Sequence, residues 1–229
     1  MKDRSDAILR PEQADYLDRL LPPRGEVLAG LEREAAAESI PIADPELGVL
    51  LAILTRAVGA KRILEVGTAI GYGTLWLAEA SPDARVVSID RDPERLARAR
   101  ETLTRAGVAD RVELIEGEAL EILPGLEGPF DLIYLDGDKA TYRRCLDLGL
   151  QKLRVGGLVV IDNVLWKGHV ADPPADASEE DEAAADAMAT FNSYLMIHPQ
   201  LEALVLPLGD GVGVAAKKKP LVTDLGGPF

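Results

Sequence analysis

Apolar positions along the chain recur at two intervals, and the changes from one to the other outline the fold. Pro11 to Leu21 and Gly25 to Ser39 carry apolar residues about three and four apart and are separated by "PPRG", so two helices are predicted there. A third is predicted over "ADPELGVLLAILTRAVGA", with Asp44 as its cap and Pro45 at its first position. Beyond it the pattern alternates. Strand-type runs stand at "RILEV", "RVVSI", "RVELI", "FDLIYL", "GLVVI", "LEALVL" and "VGVAA". Helix-type segments follow the first five, and the third of these, "EALEIL", is very short. Five βα repeats in order predict parallel strands with right-handed crossovers, hence an open, doubly wound, mostly parallel α/β sheet of seven strands. The last two runs are joined by "PLGDG" alone and should form an antiparallel hairpin at one edge. In "SIDRDPERLARARETLTRAG", Asp92 can cap, Pro93 opens the helix and Gly107 closes it.

One domain is expected over residues 1–229, with N-terminal helices over 1–59, a sheet-bearing core over 60–219 and a tail over 220–229. One stretch departs from the rhythm: Ala171 to Asp186 carries seven acids and no base. It reads first as a solvated loop running into an exposed helix start, and second as a mobile lid over a site at the carboxyl edge of the sheet. Farther on, Phe191, Tyr194, Leu195 and Met196 keep helix spacing and are read as packing, with His198 structural at the helix end. The single cysteine, Cys145, excludes an internal disulfide and multi-cysteine metal clusters, and suits a packed helix face better than a reactive thiol.

Charge narrows the partners. The chain has 25 Lys plus Arg against 39 Asp plus Glu, a formal charge of -14, which repels phosphate backbones and anionic lipid unless a local basic patch overrides it. No apolar run approaches the roughly 20 residues that span a bilayer, and "MKDRSDAILRPEQ" lacks the apolar stretch of a signal peptide. A cytoplasmic protein with no membrane contact is expected.

The chemistry concentrates where strands end. In "ILEVGTAIGYG" a strand-type run meets an acid and then Gly67, Gly71 and Gly73 before a helix, an arrangement that lets a ligand approach the main chain. The spacing is not the G-x-G-x-x-G of dinucleotide binders, whose turn holds a pyrophosphate. Glu65, just before the first glycine, would repel pyrophosphate but stabilise a cationic ligand. Asp90 ends the next strand, where an acid commonly holds both ribose hydroxyls. Adenosine with a cationic tail is therefore preferred over NAD, and S-adenosylmethionine fits that description. The alternative is that Glu65 caps local backbone and Asp90 merely ends a strand.

Two further strand tips carry oxygen ligands. "LIYLDGDK" places Asp136 at the fourth tip, with Asp138 and Lys139 just beyond, and "LVVIDNVLWKG" places Asp162 and Asn163 at the fifth. In a doubly wound sheet these share an edge with the glycine turn. Two carboxylates and an amide carbonyl suit a hard cation such as Mg²⁺, while zinc is disfavoured. The competing reading makes Asp136 a helix cap and Asp162 with Asn163 a turn. A lysine beside a divalent cation and away from water has its ammonium disfavoured, so Lys139 is a candidate proton acceptor, although the nearby aspartates oppose this. A solvated lysine at a helix start is the alternative.

These stretches, together with "SIDRDPE", "FDLIYLDGDKATY", "GGLVVIDNVLWKGHV" and "LPLGDGVGVAAKK", resemble the cation-dependent, S-adenosylmethionine-dependent O-methyltransferases of the catechol and caffeoyl-CoA type, and most closely their small bacterial members. The resemblance runs in order from about Ile40 to Lys219. It implies a Rossmann-like class I methyltransferase fold, with Asp136, Asp162 and Asn163 as metal ligands and Lys139 as general base. It further implies that Ala43, Glu65, Gly67, Thr68, Gly73, Asp90, Ala119, Asp136 and Asp138 line the methyl-donor site, and that Trp166 and Lys167 fall where relatives contact the acceptor. Gly73 stands where many relatives have a serine, and Lys167 replaces an asparagine common in plant members; the acidic segment after His169 matches nothing placed.

The implied reaction moves a methyl group from S-adenosylmethionine to one hydroxyl of a metal-chelated vicinal diol, leaving S-adenosylhomocysteine. A small catechol-type phenol is the expected acceptor, because an acidic rim tolerates it and repels a polyanionic CoA ester. A second acceptor, 5-hydroxyuridine in transfer RNA, is implied by some bacterial relatives. The charge opposes it, but Arg143, Arg144 and Lys217 to Lys219 could form a local patch. His169 is placed near the acceptor pocket, and relatives suggest a homodimer. Outside methyl transfer stand an NAD-linked oxidoreductase and a non-catalytic nucleotide-binding protein.

Overall fold

The computed structural model describes residues 11–174 and 177–219. Three helices come first: α1 (Pro11–Leu20), α2 (Glu26–Glu38) and α3 (Pro45–Ala57). Alternation then gives β1 (Arg62–Val66), α4 (Tyr72–Ala80), β2 (Arg85–Asp90), α5 (Pro93–Arg105), β3 (Val112–Glu116), the four-residue α6 (Ala119–Ile122) and β4 (Phe130–Leu135). The chain continues through α7 (Tyr142–Lys152), β5 (Leu153–Ile161), α8 (Glu179–Ile197), β6 (Leu201–Leu206) and β7 (Val212–Lys217).

The seven strands form one sheet in the order β3-β2-β1-β4-β5-β7-β6. The first five run parallel, and the β6–β7 hairpin adds antiparallel at the β5 side. Because β2 and β3 grow to one side of β1 while β4 and β5 grow to the other, the order reverses between β1 and β4, where doubly wound sheets open a crevice at their carboxyl ends. Period-two alternation sends Ile63, Leu132 and Tyr134 into an apolar cluster with α2, α3 and α4, and Leu64, Val66, Ile133 and Leu135 into another with α7 and α8. Glu65 shares the first face with Ile63, so its position in the strand commits a carboxyl group to the interior.

Several local expectations are corrected by tertiary contacts. Asp44 occupies the N-cap position with Pro45 behind it, but its side chain makes no capping hydrogen bond. Its Oδ2 lies 2.5 Å from where a Cβ on Gly209 would stand, so it is pressed against the β6–β7 turn instead. Met196, expected to pack, is 49% exposed, while Phe191, Leu195 and Cys145 are buried. β5 begins at Leu153, before the expected run, because Leu153 pairs with Phe130 ahead of a register irregularity. The other predicted boundaries agree: Asp92 accepts from the Glu94 and Arg95 amides at 3.0 and 3.1 Å, and His198 ends α8 against the Tyr194 ring. Burial lowers the His198 pKa from its ordinary value.

The acidic run resolves largely into a helix start. Ser178 caps α8 through its Oγ, which accepts from the Asp181 amide at 3.1 Å, and Glu179, Asp181 and Glu182 follow where negative charge complements the unpaired N–H groups. The lid reading falls on a stretch that includes 175–176, outside the described residues, as do the first ten residues of the N-terminal segment and the tail over 220–229. Among the described residues no helix is long and apolar enough to cross a membrane.

The helices before the sheet are fastened by ion pairs as well as apolar contact. Arg24 grips Glu32 at 2.9 and 3.0 Å, and the Tyr72 hydroxyl donates to Glu32 at 2.8 Å, tying α2 to the first residue of α4. Arg98 on α5 reaches Glu34 and Glu38 of the same helix.

α3 and α4 approach so closely that a Cβ on Gly48 would lie 2.2 Å from the Trp76 indole nitrogen. Gly48→Ala is therefore expected to destabilise the protein by about 1–3 kcal/mol despite alanine's better helix propensity. Gly30→Ala on α2, whose Cβ would meet only Arg33 Nη2 at 3.9 Å, should be neutral or stabilising by up to about 1 kcal/mol. Urea midpoints at unchanged slope read both; equal midpoints for the two variants would count against the tight α3–α4 contact.

Candidate active site at the carboxyl edge of the sheet

The turn after β1 has little room for side chains. Gly67 has φ +102°, and a Cβ there would lie 2.3 Å from the Asp136 carbonyl oxygen, so only hydrogen fits between the ends of β1 and β4. Gly71, also left-handed at φ +89°, opens α4, and Ala69 between them holds a positive φ of 46°. A crevice forms here, lined by Pro41, Ile42 and Ala43 from the segment before α3, by Gly67 to Ala69, Tyr72 and Gly73, and by Glu65, Tyr134 and Asp136. The predicted donor residues Ala43, Glu65, Gly67, Thr68, Gly73 and Asp136 thus line one crevice. Tyr72 and Tyr134 line it too and were missed, since their apolar spacing reads as packing alone.

Glu65 is completely buried. Its Oε2 accepts from the Ser88 hydroxyl at 2.5 Å and from the Thr74 hydroxyl, while Thr68 and Ser88 share a hydrogen bond of 2.6 Å. Its Oε1 is buried with no hydrogen-bond partner. Burial pushes the carboxyl up to about 8; the two hydroxyls pull it down, and the charges of Asp136 and Asp90 push it up further. An acceptor this poorly solvated, facing a crevice, is matched by a cationic or N–H donor group of a ligand. A Cβ on Gly73 would come within 2.7 Å of Oε1 and 3.0 Å of the Tyr134 ring, which explains why no larger residue stands there.

Asp90, Ala119 and Asp138 do not line that crevice. Asp90 borders it: its Oδ2 accepts from the Ala69 amide at 2.8 Å and its Oδ1 from the Asp92 amide at 3.0 Å. A carboxylate has about four acceptor positions, so the structural and ligand-binding readings of Asp90 are compatible. Asp138 caps the short helical turn before α7, accepting from the Ala140 amide at 3.0 Å. Arg91, unremarked in the sequence, links Glu118 at 3.7 Å and Asp138 at 3.8 Å, joining the ends of β2, β3 and β4.

Asp136 and Asp162 are neighbours by register. Leu135 pairs with Ile161, and the Asp162 amide donates to the Leu135 carbonyl at 3.0 Å, so the two acids leave adjacent strands side by side. Asp162 and Asn163 are buried at 4% and 7% exposure. Asp136 accepts from the Tyr134 hydroxyl at 3.2 Å and from Lys139 Nζ at 3.3 Å, and Nζ also donates to the Gly137 carbonyl at 3.1 Å. Asp136 is therefore not a helix cap; Asp138 has that part. Among the described residues no group of three or more His, Cys, Asp or Glu side chains is placed to hold a metal. The candidate set of two carboxylates and one amide carbonyl suits a hard cation and is the weaker for having an amide as its third member.

A residue without a sequence-based role completes this corner. Asp210, in the β6–β7 turn, accepts from Asn163 Nδ2 at 3.2 Å and from the Lys167 amide. Its one local signal is its place between Gly209 and Gly211, both at positive φ. Trp166 and Lys167 follow in a short helical turn at φ 46° and 57°; the Trp166 indole nitrogen and His169 Nδ1 are buried without partners. Of the residues suggested for a basic patch, Lys217 Nζ donates to the Leu150 and Leu153 carbonyls at 2.6 and 2.7 Å and Arg143 lies 4.3 Å over the Tyr194 ring, while Arg144, Lys218 and Lys219 are exposed.

Comparison with known proteins gives the family. Residues 24–218 match the model of a family described as O-methyltransferase. The chain is 36% identical over 202 residues to the catechol O-methyltransferase of Mycobacterium tuberculosis, covering 86% of this chain and 88% of that protein. It is 34% identical over 172 residues to caffeoyl-CoA O-methyltransferase 1 of Eucalyptus globulus, covering 72% and 70%. The solved structure of the O-methyltransferase TomG of Streptomyces achromogenes, in complex with S-adenosylmethionine, superposes with a TM-score of 0.79 at 30% identity, covering 96% of this chain and all of that one. With its Rossmann-like sheet and antiparallel edge pair, this chain belongs to the O-methyltransferase family, among the members of catechol and caffeoyl-CoA type.

Proposed function

We propose that the protein transfers a methyl group from S-adenosylmethionine to one hydroxyl of a small vicinal diphenol, with a divalent cation such as Mg²⁺ at the tips of β4 and β5. The observation that carries this reading is that Asp136 belongs to both halves of the site: it lines the donor crevice and stands beside Asp162. The donor bound in the related TomG structure and the acceptor in the name of the M. tuberculosis relative support it.

Glu65 receives the cationic part of the donor, its unpartnered Oε1 supplying the acceptor. The glycine turn lets the donor reach the backbone, and Asp90 takes the ribose hydroxyls with its remaining acceptor capacity. Asp136, Asp162 and Asn163 would hold the cation, which would supply Lewis acidity that makes adjacent hydroxyls easier to ionise. Lys139, at the side of Asp136, would take the hydroxyl proton in its neutral amine form as the carbon–sulfur bond breaks and the carbon–oxygen bond forms. Trp166 and Lys167 border the acceptor, and a neutral diphenol meets no repulsion from the acidic surface.

Because the Glu65 carboxyl is held up to about 8 in the free protein, it is mostly protonated at lower pH, and a cationic ligand must release that proton to pair with it. Donor affinity should therefore fall as pH drops below about 8, by at most tenfold per unit, and Glu65→Gln should flatten the profile. Isothermal titration in buffers of different ionisation heat measures the proton released; an identical slope in wild type and Glu65→Gln would remove Glu65 from this role.

Asp162→Ala should lower cation-dependent kcat/KM for a diphenol by about 100-fold or more while leaving donor affinity within a few-fold. Mass spectrometry with labelled donor, with and without chelator, reads the product. Full turnover in chelator would refute the cation's part in the reaction.

A further inference from the structure

We infer that Asp210 is a positioning residue for the cation site, turning the Asn163 carbonyl oxygen toward the ion and fixing the loop that borders the acceptor. The inference rests on the proposed ligand set of Asp136, Asp162 and Asn163. An aspartate carboxylate only accepts, so its partner at 3.2 Å must be the NH2 group of Asn163 and not the carbonyl. The two ends of a planar amide point apart. Committing Nδ2 to Asp210 therefore leaves Oδ1 as the end facing away, available to a hard cation.

The same residue holds the backbone on which Asn163 sits. Asn163, Trp166 and Lys167 all have positive φ, at 58°, 46° and 57°, a conformation that non-glycine residues keep only when their surroundings enforce it. Asp210 supplies the enforcement. Its carbonyl accepts from the Leu165 amide at 3.0 Å, its carboxylate accepts from the Lys167 amide, and the Gly211 carbonyl accepts from the Val164 amide at 3.0 Å. A Cβ on Gly211 would lie 2.4 Å from Leu165 Cγ, so the hairpin turn is pressed directly onto the loop. The parallel strands thus supply the ligands, and the antiparallel edge hairpin orients one of them. Partners outside the ligand shell commonly tune metal sites in this way.

The test uses the full chain and Mn²⁺ as probe, titrated by electron paramagnetic resonance with neither donor nor acceptor present. Asp210→Ala, which removes both side-chain acceptors, should weaken Mn²⁺ binding by about 10- to 100-fold. Asp210→Asn, which keeps one acceptor, should fall between it and wild type. Donor affinity should stay within about twofold, because the Asp210 turn lies outside the donor crevice, and the melting temperature in chelator should fall by no more than a few degrees, because the backbone bonds of Asp210 and Gly211 to the loop are kept. If Asp210→Ala does not fold, Asp210→Asn carries the measurement. Wild-type Mn²⁺ affinity in the variants that fold would overturn the inference while leaving the ligand set standing. Parallel losses of melting temperature and donor affinity would overturn it in favour of a general structural role. If wild type binds no Mn²⁺, or Asp162→Ala binds it unchanged, the ligand set itself is wrong and the inference falls with it.

Discussion

The close passage of Gly67 against the Asp136 backbone is the constraint on which the site depends. At the reversal of strand order, the turn after β1 and the tip of β4 come so near that a single Cβ would strike the Asp136 carbonyl. The contact is reinforced on the strand side, where the Asp136 amide donates to the Val66 carbonyl at 2.8 Å. Fixing these two ends places a donor crevice and a pair of acidic strand tips within reach of one another. Position and orientation matter greatly when a methyl group must meet one oxygen in line. The fold holds these two strand ends through backbone contacts and not through side chains that turn.

Negative charge is gathered at this edge. Glu65, Asp90, Asp136 and Asp162 approach one another, and Lys139 and Arg91 reach Asp136 and Asp138 at 3.3 and 3.8 Å. Desolvation is the largest influence on Glu65, and the neighbouring acids add to it. Acidic groups held this close disfavour one another's ionisation, and the proposed ligands, a sulfonium donor and a hard metal ion, would bring positive charge to them. An anionic dinucleotide would add to the repulsion instead. Burial raises the cost of leaving carboxylates unpaired.

The surrounding helices contribute closure and support. Glu32 receives both Arg24 and Tyr72, so α2 is held to the residue that opens α4 and lines the crevice. Lys217, at the end of β7, donates to the Leu150 carbonyl near the end of α7 and to the Leu153 carbonyl that opens β5. The Tyr72–Glu32 and Lys217 ties join elements far apart in the chain, and each uses a charged side chain that composition alone assigns to solvent.

Local patterning determined the strand and helix sequence, the glycine turn, and the placing of acids at strand tips. Periodicity, caps and turn residues act over a few positions, so Asp92, Pro93 and Gly107 bound α5 as their chemistry dictates. What only the tertiary structure decided are relations between distant residues. Asp210 reaches Asn163 from 47 positions away, Asp44 leaves its expected cap to meet a hairpin turn, and Met196 remains half-exposed. No periodicity encodes such pairings, because they arise from the packing of whole elements, and that packing alone left one oxygen of Glu65 buried and unpartnered.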